Sequence, residues 1–166
     1  MGNLALTYVN QGRWKKAEEL GVQVLKIRKQ VLGPEHPDTL ISMGNLASTY
    51  MNQGRVMEAE ELEVQAMEAR IRVLGPEHPD TLTSMANLAY TLYIQERFYE
   101  AVVLMEECLR LRGRVLGPSH PDTIDSTRFL RKCKEILDLP ISQGQSFIQA
   151  ENDQTTGDIA QDQSVP

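Results

Sequence analysis

LGPEHPDT, at Leu32–Thr39, is the stretch on which the reading of this chain turns. The same eight letters return at Leu74–Thr81, and again at Leu116–Thr123 with Ser119 in place of glutamate. Each copy lies 42 residues after the last. Laying residues 1–42 over 43–84 gives 29 identities, and laying 43–84 over 85–126 gives 21. Self-similarity at a fixed period of roughly 20–50 residues marks stacked supersecondary units, none of which buries its apolar face alone. The sequence therefore predicts an array and not a globule around one central core.

Working outward from the repeat, each unit divides into two helical halves. In the middle unit Leu40, Met43, Ala47 and Tyr50 recur at helical spacing over 37–53. Pro37 suits a first helical position and Asp38 the first turn, where a carboxylate complements the helix dipole. Gly54 supplies a left-handed stop. The second half, 55–74, carries Ala59, Leu62, Ala66, Ala69 and Val73 on one face, and Gly75–Pro76 ends it. Applied along the chain, the pattern predicts a shortened first helix over 1–11, then helices over 13–32, 37–53, 55–74, 79–95, 97–116 and 121–138. Glu96 stands where Gly12 and Gly54 stand, so that turn is expected to be strained or differently closed. The last helix carries Arg128, Arg131, Lys132, Lys134 and Glu135 and reads as a polar end cap.

Composition sets the remaining bounds. Hydrophobic residues at 41% and charged residues at 24% lie in the globular range. The net charge of −6 is concentrated in residues 138–166, which hold five acidic side chains and no Lys or Arg; the rest of the chain stands at −1. A near-neutral body offers no electrostatic footprint for nucleic acid or an anionic membrane. No run of about 18 apolar residues occurs, so no membrane span is expected. Cys108 and Cys133 form neither a disulfide framework nor a CxxC site, and two free thiols suit a reducing, cytoplasmic setting. From Ser142 the composition turns to Gln, Ser, Thr, Asp and Gly, and 139–166 is expected to be a disordered acidic tail. The opening MGNLA recurs at Met43–Ala47, and Leu6 departs from a myristoylation pattern. The chain is thus expected to start part-way through a repeat of a longer array, with an uncapped front end available for self-association.

The letters NLAxTYxNQGR at Asn45–Arg55, followed by Glu58, Ala59, Glu60, Leu62 and LGPEHPDT, resemble tetratricopeptide repeats of the long, 42-residue type found in kinesin light chain. Similar arrays form the C-terminal sensor regions of fungal nucleotide-binding immune-receptor-like proteins. The resemblance covers residues 1–137 and implies an all-α, right-handed superhelix of antiparallel hairpins, with the first helix of each pair lining a concave groove for a peptide or a partner's surface. It places Leu46, Ala47, Tyr50, Ala59 and Ala66 at packing positions and Asn3, Asn45 and Asn87 at groove positions, while the fourth copy has Phe129 there.

Helix arithmetic supports the same groove. At about 100° per residue, Ile41, Asn45, Ser48 and Asn52 share a strip turned away from the packing stripe. The next unit presents Thr83, Asn87, Tyr90 and Ile94 there, with Tyr93 beside them. The final helix presents Asp125, Phe129, Lys132 and Ile136, with Arg128 adjacent. Amides can pair with a peptide backbone, tyrosines give amphipathic contact area, and Arg or Lys can receive carboxylates. The candidate partner-binding residues are therefore Asn45, Ser48, Asn52, Asn87, Tyr90, Tyr93, Arg128 and Lys132. The alternative for Asn45 and Asn87 is to satisfy backbone groups between helices. Across copies, positions 6, 48 and 90 read Leu, Ser and Tyr, and 9, 51 and 93 read Val, Met and Tyr, while packing letters hold.

Other recurring residues read as structural. His36, His78 and His120 cannot converge on one metal, because a zinc ligand sits about 2 Å from the ion whereas packed helices are about 8–10 Å apart; they are expected to cap helix starts. Arg28, Arg70 and Arg112 are expected to pair with Asp38, Asp80 and Asp122 across the loop. Glu58, Glu60, Glu61, Glu63 and Glu68 read as a solvated face. No GxSxG, Walker A, HExxH or GxGxxG pattern is present, so no catalytic residue, cofactor or metal site is assigned and enzymatic activity is not expected. The reading favoured is a protein-interaction scaffold. The second is the C-terminal sensor arm of a larger nucleotide-binding protein.

Overall fold

A computed structural model of the chain describes Tyr8 and residues 12–138. Six helices follow one another: α1 (Trp14–Val31), α2 (Pro37–Asn52), α3 (Val56–Leu74), α4 (Pro79–Ile94), α5 (Phe98–Val115) and α6 (Pro121–Leu137). The described residues contain no strand. These bounds fall within one or two residues of those the periodicity predicts, the usual fraying of helix ends. The helix expected over 1–11 lies outside the described residues except for Tyr8, which is helical, and the segment 139–166 lies outside them too.

Each helix packs mainly against its neighbours in sequence, and among the described residues no extensive contact joins distant helices. This is the connectivity of a stack, an all-α repeat fold. One buried cluster joins Leu25 of α1, Leu40, Met43 and Leu46 of α2, and Ala66 and Ala69 of α3. The equivalent cluster one unit on joins Leu82, Met85 and Ala89 of α4 to Met105, Cys108 and Leu111 of α5, with Phe129 and Leu130 of α6 against it. Alanine at 59, 66 and 69 lets α3 approach its neighbours closely. The predicted α3 stripe stops short, however: Val73, in the last turn of α3, is 46% exposed.

The loop motif earns each of its letters. Gly33, Gly75 and Gly117 have φ of 100°, 89° and 87°, a region that a side chain disfavours. His36, His78 and His120 are the N-caps of α2, α4 and α6, each imidazole Nδ1 accepting the backbone N–H of the aspartate two residues on at 3.2 Å. Proline opens each of these helices, where its missing N–H costs nothing. Thr39 and Thr81 donate their hydroxyls back to the carbonyls of Gly33 (2.8 Å) and Gly75 (2.9 Å), locking the loop. Glu35 and Glu77 reach forward to Arg72 (2.9 Å) and Arg114 (3.1 Å) at the end of the following unit's second helix.

Two of the structural expectations change. Arg28 does not take the Asp38 carboxylate; its Nη1 donates to the Asp38 main-chain carbonyl (2.8 Å) and to Ser42 Oγ (2.7 Å). Arg112 repeats this with the Asp122 carbonyl (2.9 Å) and Ser126 Oγ (2.6 Å), and Arg70 donates to Ser84. The aspartate side chain points to solvent at the helix start, which leaves its carbonyl as the acceptor within reach. Nor is the glutamate run of α3 a uniform solvated face. Glu63 is buried, with Oε2 unpartnered, at the register held by Gly21 and Met105 in the other units. Burial pushes its carboxyl above the ordinary range, a shift that a hydrogen bond with Thr91 only partly offsets.

Candidate functional site

The tight turns between paired helices set how the first helices present their outer faces. After α2, the N–H of Gly54 bonds the Met51 carbonyl (3.0 Å) and that of Arg55 the Tyr50 carbonyl (2.9 Å). This nested pair closes a helix around one left-handed residue. After α4, Glu96 and Arg97 bond Tyr93 and Leu92 in the same way, both at 3.0 Å, and Glu96 adopts φ 61° where Gly54 has 74°. The turn lacking glycine is thus strained and not rebuilt.

Each turn is also clamped to the preceding unit. Glu18 receives Gln53 Nε2 (2.9 Å) and Arg55 Nη1 (2.5 Å). One unit on, Glu60 receives Gln95 (2.7 Å) and Arg97 (2.6 Å). These bonds hold the Glu18 carboxyl below the usual range. Arg55 also lies over the Tyr50 ring at 4.1 Å, while Leu92 denies Arg97 that contact. The sequence reading missed the clamps, although the signal was there: Gln and Arg flank the turn residue, and a glutamate precedes them by 35 and 37 positions in two successive units.

On this scaffold the predicted strip divides by role. Ile41, Tyr90 and Ile94 are 47%, 51% and 42% exposed, high values for large apolar side chains. Asn87 is exposed and Asn45 half-buried. Among the described residues neither amide forms a side-chain hydrogen bond. Ser48 and Asn52 are exposed but turned onto their own helix, donating to the carbonyls of Gly44 (3.1 Å) and Ser48 (2.7 Å).

Tyr93 is half-buried at the centre of a ring cluster. Phe98 and Phe129 both meet it edge-on at 5.4 Å, and Tyr90 stacks beside it at 6.4 Å. Tyr90 also lies 5.9 Å from Phe129, which ties α4 to α6. Lys132 Nζ sits 5.4 Å from the Tyr93 ring centre, and Arg128 pairs with Asp125 at 3.2 Å on the open surface. Phe98 is the member that the helix arithmetic did not include, since it comes from a second helix.

Nothing in the described residues gathers reactive groups. No three metal-ligating side chains cluster, and no helix is long and apolar enough to cross a membrane. Cys108 and Cys133 are fully buried, and burial pushes the Cys133 thiol up to about 11. A concavity of about 790 Å³ opens at the tight-turn edge beside Trp14, Lys16, Glu18 and Arg55, and among the described strip residues only Asn52 borders it.

The same architecture occurs in solved proteins. A Podospora anserina protein described as a kinesin light chain with nearly identical TPR-like repeats superposes with a TM-score of 0.74, at 33% identity over 80% of this chain and 63% of its own. A single-substitution variant of that protein gives 0.75, at 34% identity over 80% and 62%. BtubC (BKLC) from P. vanneervenii matches in fold at 0.75, with 22% identity over 98% of this chain and 64% of its own. This chain spans less than two thirds of each of them. No curated protein matches in sequence. The tetratricopeptide repeat family model matches residues 1–38, 39–80 and 81–122 in unbroken succession. With the period, the loop chemistry and the stacked helices in agreement, the chain belongs to the tetratricopeptide repeat family.

Proposed function

We propose that the chain is a protein-interaction scaffold that holds a peptide or a partner's surface along the outer faces of α2, α4 and α6. Repeats of this family generally mediate protein–protein interaction. The observation that carries the finer reading is that Asn45 and Asn87, whose amides bond no other described residue, share one strip with an exposed Tyr90. Asn45 and Asn87 offer donor and acceptor to an extended backbone, Tyr90 supplies flat contact area, and Ser48 and Asn52 keep acceptor capacity beside them. Arg128 and Lys132 receive acidic groups at the far end, and Tyr93 supports Tyr90 from its side. On this reading residues 1–138 form the array, with α6 as its polar cap.

A displayed library of random peptides, selected on the full chain, supplies the probe. The selected peptide is then titrated by fluorescence anisotropy against the parent and against a variant carrying Asn45→Ala, Asn87→Ala and Tyr90→Ala together. Affinity is expected to fall at least tenfold while the thermal midpoint holds. An unchanged Kd in a folded triple variant refutes the strip.

A further inference from the structure

A cleft of about 230 Å³ opens where the end of α1 and its loop meet α2 and the second half of α3, and none of the described strip residues lines it. Leu40, Met43 and Ala69, members of the first core cluster, form its floor. Pro34 and the stems of Lys29, Gln65 and Arg72 stand around it. Glu35 and Arg72, both in the lining, already hold each other at 2.9 Å.

The opening traces to one letter of the repeat. The register of Ala69 holds Ile27 in the first unit and Leu111 in the third. Leu111 is buried against Leu82 and Met85, the counterparts of Leu40 and Met43. The third unit thus supplies from its own chain the aliphatic side chain that the middle unit lacks, and alanine leaves three carbons fewer over the same floor. A liquid water takes about 30 Å³, so the cleft exceeds what the four carbons of a leucine side chain need. The rim departs from the repeat at the same place. Glu107 and Arg110 satisfy each other at 2.6 Å in the third unit, whereas the middle unit has Gln65 and Glu68 at those registers. Lys29 stands where the other units have Ile71 and Gly113. Neither Lys29 nor Glu68 forms an ion pair with another described residue.

We propose that this cleft is a second docking point: a socket for one leucine-sized aliphatic side chain of a protein partner, flanked by an acidic residue toward Lys29 and a basic one toward Glu68. Leu111 identifies the occupant, because it shows which side chain this floor takes when the chain provides one. The rim charges choose the flanks, since a carboxylate and an ammonium held apart across one cleft complement a segment carrying both signs. The inference rests on the scaffold reading but not on the strip. Covering a leucine side chain here is worth at least tenfold in affinity, and a partner that spans socket and strip gains from both at once.

The test titrates the full chain, labelled with carbon-13 at Met, Leu and Ala methyls, with N-acetyl-leucinamide and, as control, N-acetyl-glycinamide. Saturating shifts are expected at Leu40, Met43 and Ala69 with the leucine compound alone, and none at Met85 or Leu111. A random peptide library is then selected on the Asn45→Ala, Asn87→Ala, Tyr90→Ala variant, whose strip is disabled. The selected peptides should share one aliphatic position. Ala69→Leu should hold or raise the thermal midpoint and weaken the selected peptide at least tenfold; Lys29→Glu, a surface change, should weaken it two- to fivefold. Methyl shifts that are absent, or equal for the two amides, overturn the proposal. So does an unchanged Kd in folded Ala69→Leu or, should that variant fail to fold, in Lys29→Glu. None of these outcomes touches the strip titration, so loss of the socket and loss of the strip are told apart.

Discussion

Exchanging the residues at positions 54 and 96 isolates the energetic cost of one backbone angle. The two turns make the same pair of nested hydrogen bonds, with lengths of 2.9–3.0 Å, and differ in φ by only 13° (74° against 61°). A Cβ placed on Gly54 would meet nothing within 4 Å, so no collision complicates the substitution there. Glu96 is exposed and forms no ion pair with another described residue. What remains is the left-handed penalty on a side-chain-bearing residue, about 1–2 kcal/mol. Against it stands the extra freedom that glycine gives the unfolded chain, about 0.4–1 kcal/mol. Glu96→Gly is therefore expected to stabilise by a net of about 0.5–1 kcal/mol, and Gly54→Glu to destabilise by a similar amount. In a chain of this length that is a shift of roughly 1–4 °C in Tm. Urea and thermal unfolding followed by far-UV circular dichroism would read both, and the double exchange should return near the parent because the turns are separate. A Glu96→Gly variant no more stable than the parent would refute the reasoning. It would mean that the glutamate side chain compensates its own backbone.

Two further outcomes follow from the interior and the caps. Glu63 has a folded-state pKa raised by burial, so at a pH between the ordinary glutamate value and the raised one the native state holds a proton that the unfolded chain has released. Its contribution therefore turns unfavourable as pH rises above the ordinary glutamate value and through the raised one. Glu63→Gln should unfold at higher urea than the parent near neutral pH and lose that advantage at pH 4; parallel pH curves would refute the assignment. His78→Ala should cost about 1 kcal/mol through loss of the α4 N-cap, while His78→Asn, which keeps an acceptor at that position, should restore most of it. Equal midpoints for the two variants would show that the imidazole does not act as a cap.

The fold was legible because its determinants are local and repeated. Pro37, Asp38, Gly54 and Gly75 bracket helices wherever the period returns them, and the alanines at 59, 66 and 69 mark a closely packed face. What escaped depends on partners a whole unit away. Glu60 looks like any surface glutamate until α4 folds back and brings Gln95 and Arg97 to it. Glu63 reads as solvated because its neighbours in the string are charged, yet it occupies the register of Met105. Arg28 was aimed at the right residue and the wrong oxygen, since only the loop's geometry decides whether a carbonyl or a carboxylate is nearer. The strip itself was half legible: helical arithmetic set Asn45, Asn87 and Tyr90 on one face, but could not distinguish Tyr90, left open, from Tyr93, wedged between Phe98 and Phe129.

The clamps that join successive units also govern how this molecule can change length. Glu18 and Glu60 reach 35 and 37 positions ahead, and Glu35 and Glu77 reach 37, so these ties never extend beyond the adjoining unit. Excising residues 43–84, for instance, would hand Glu18 the equivalent Arg97 and Glu35 the equivalent Arg114. Recombination between the first two blocks would thus shorten or extend the stack in steps of one hairpin with the junction's bonds in place, whereas a junction after the third block, which has Val102 and Ser119 at those registers, would lack them.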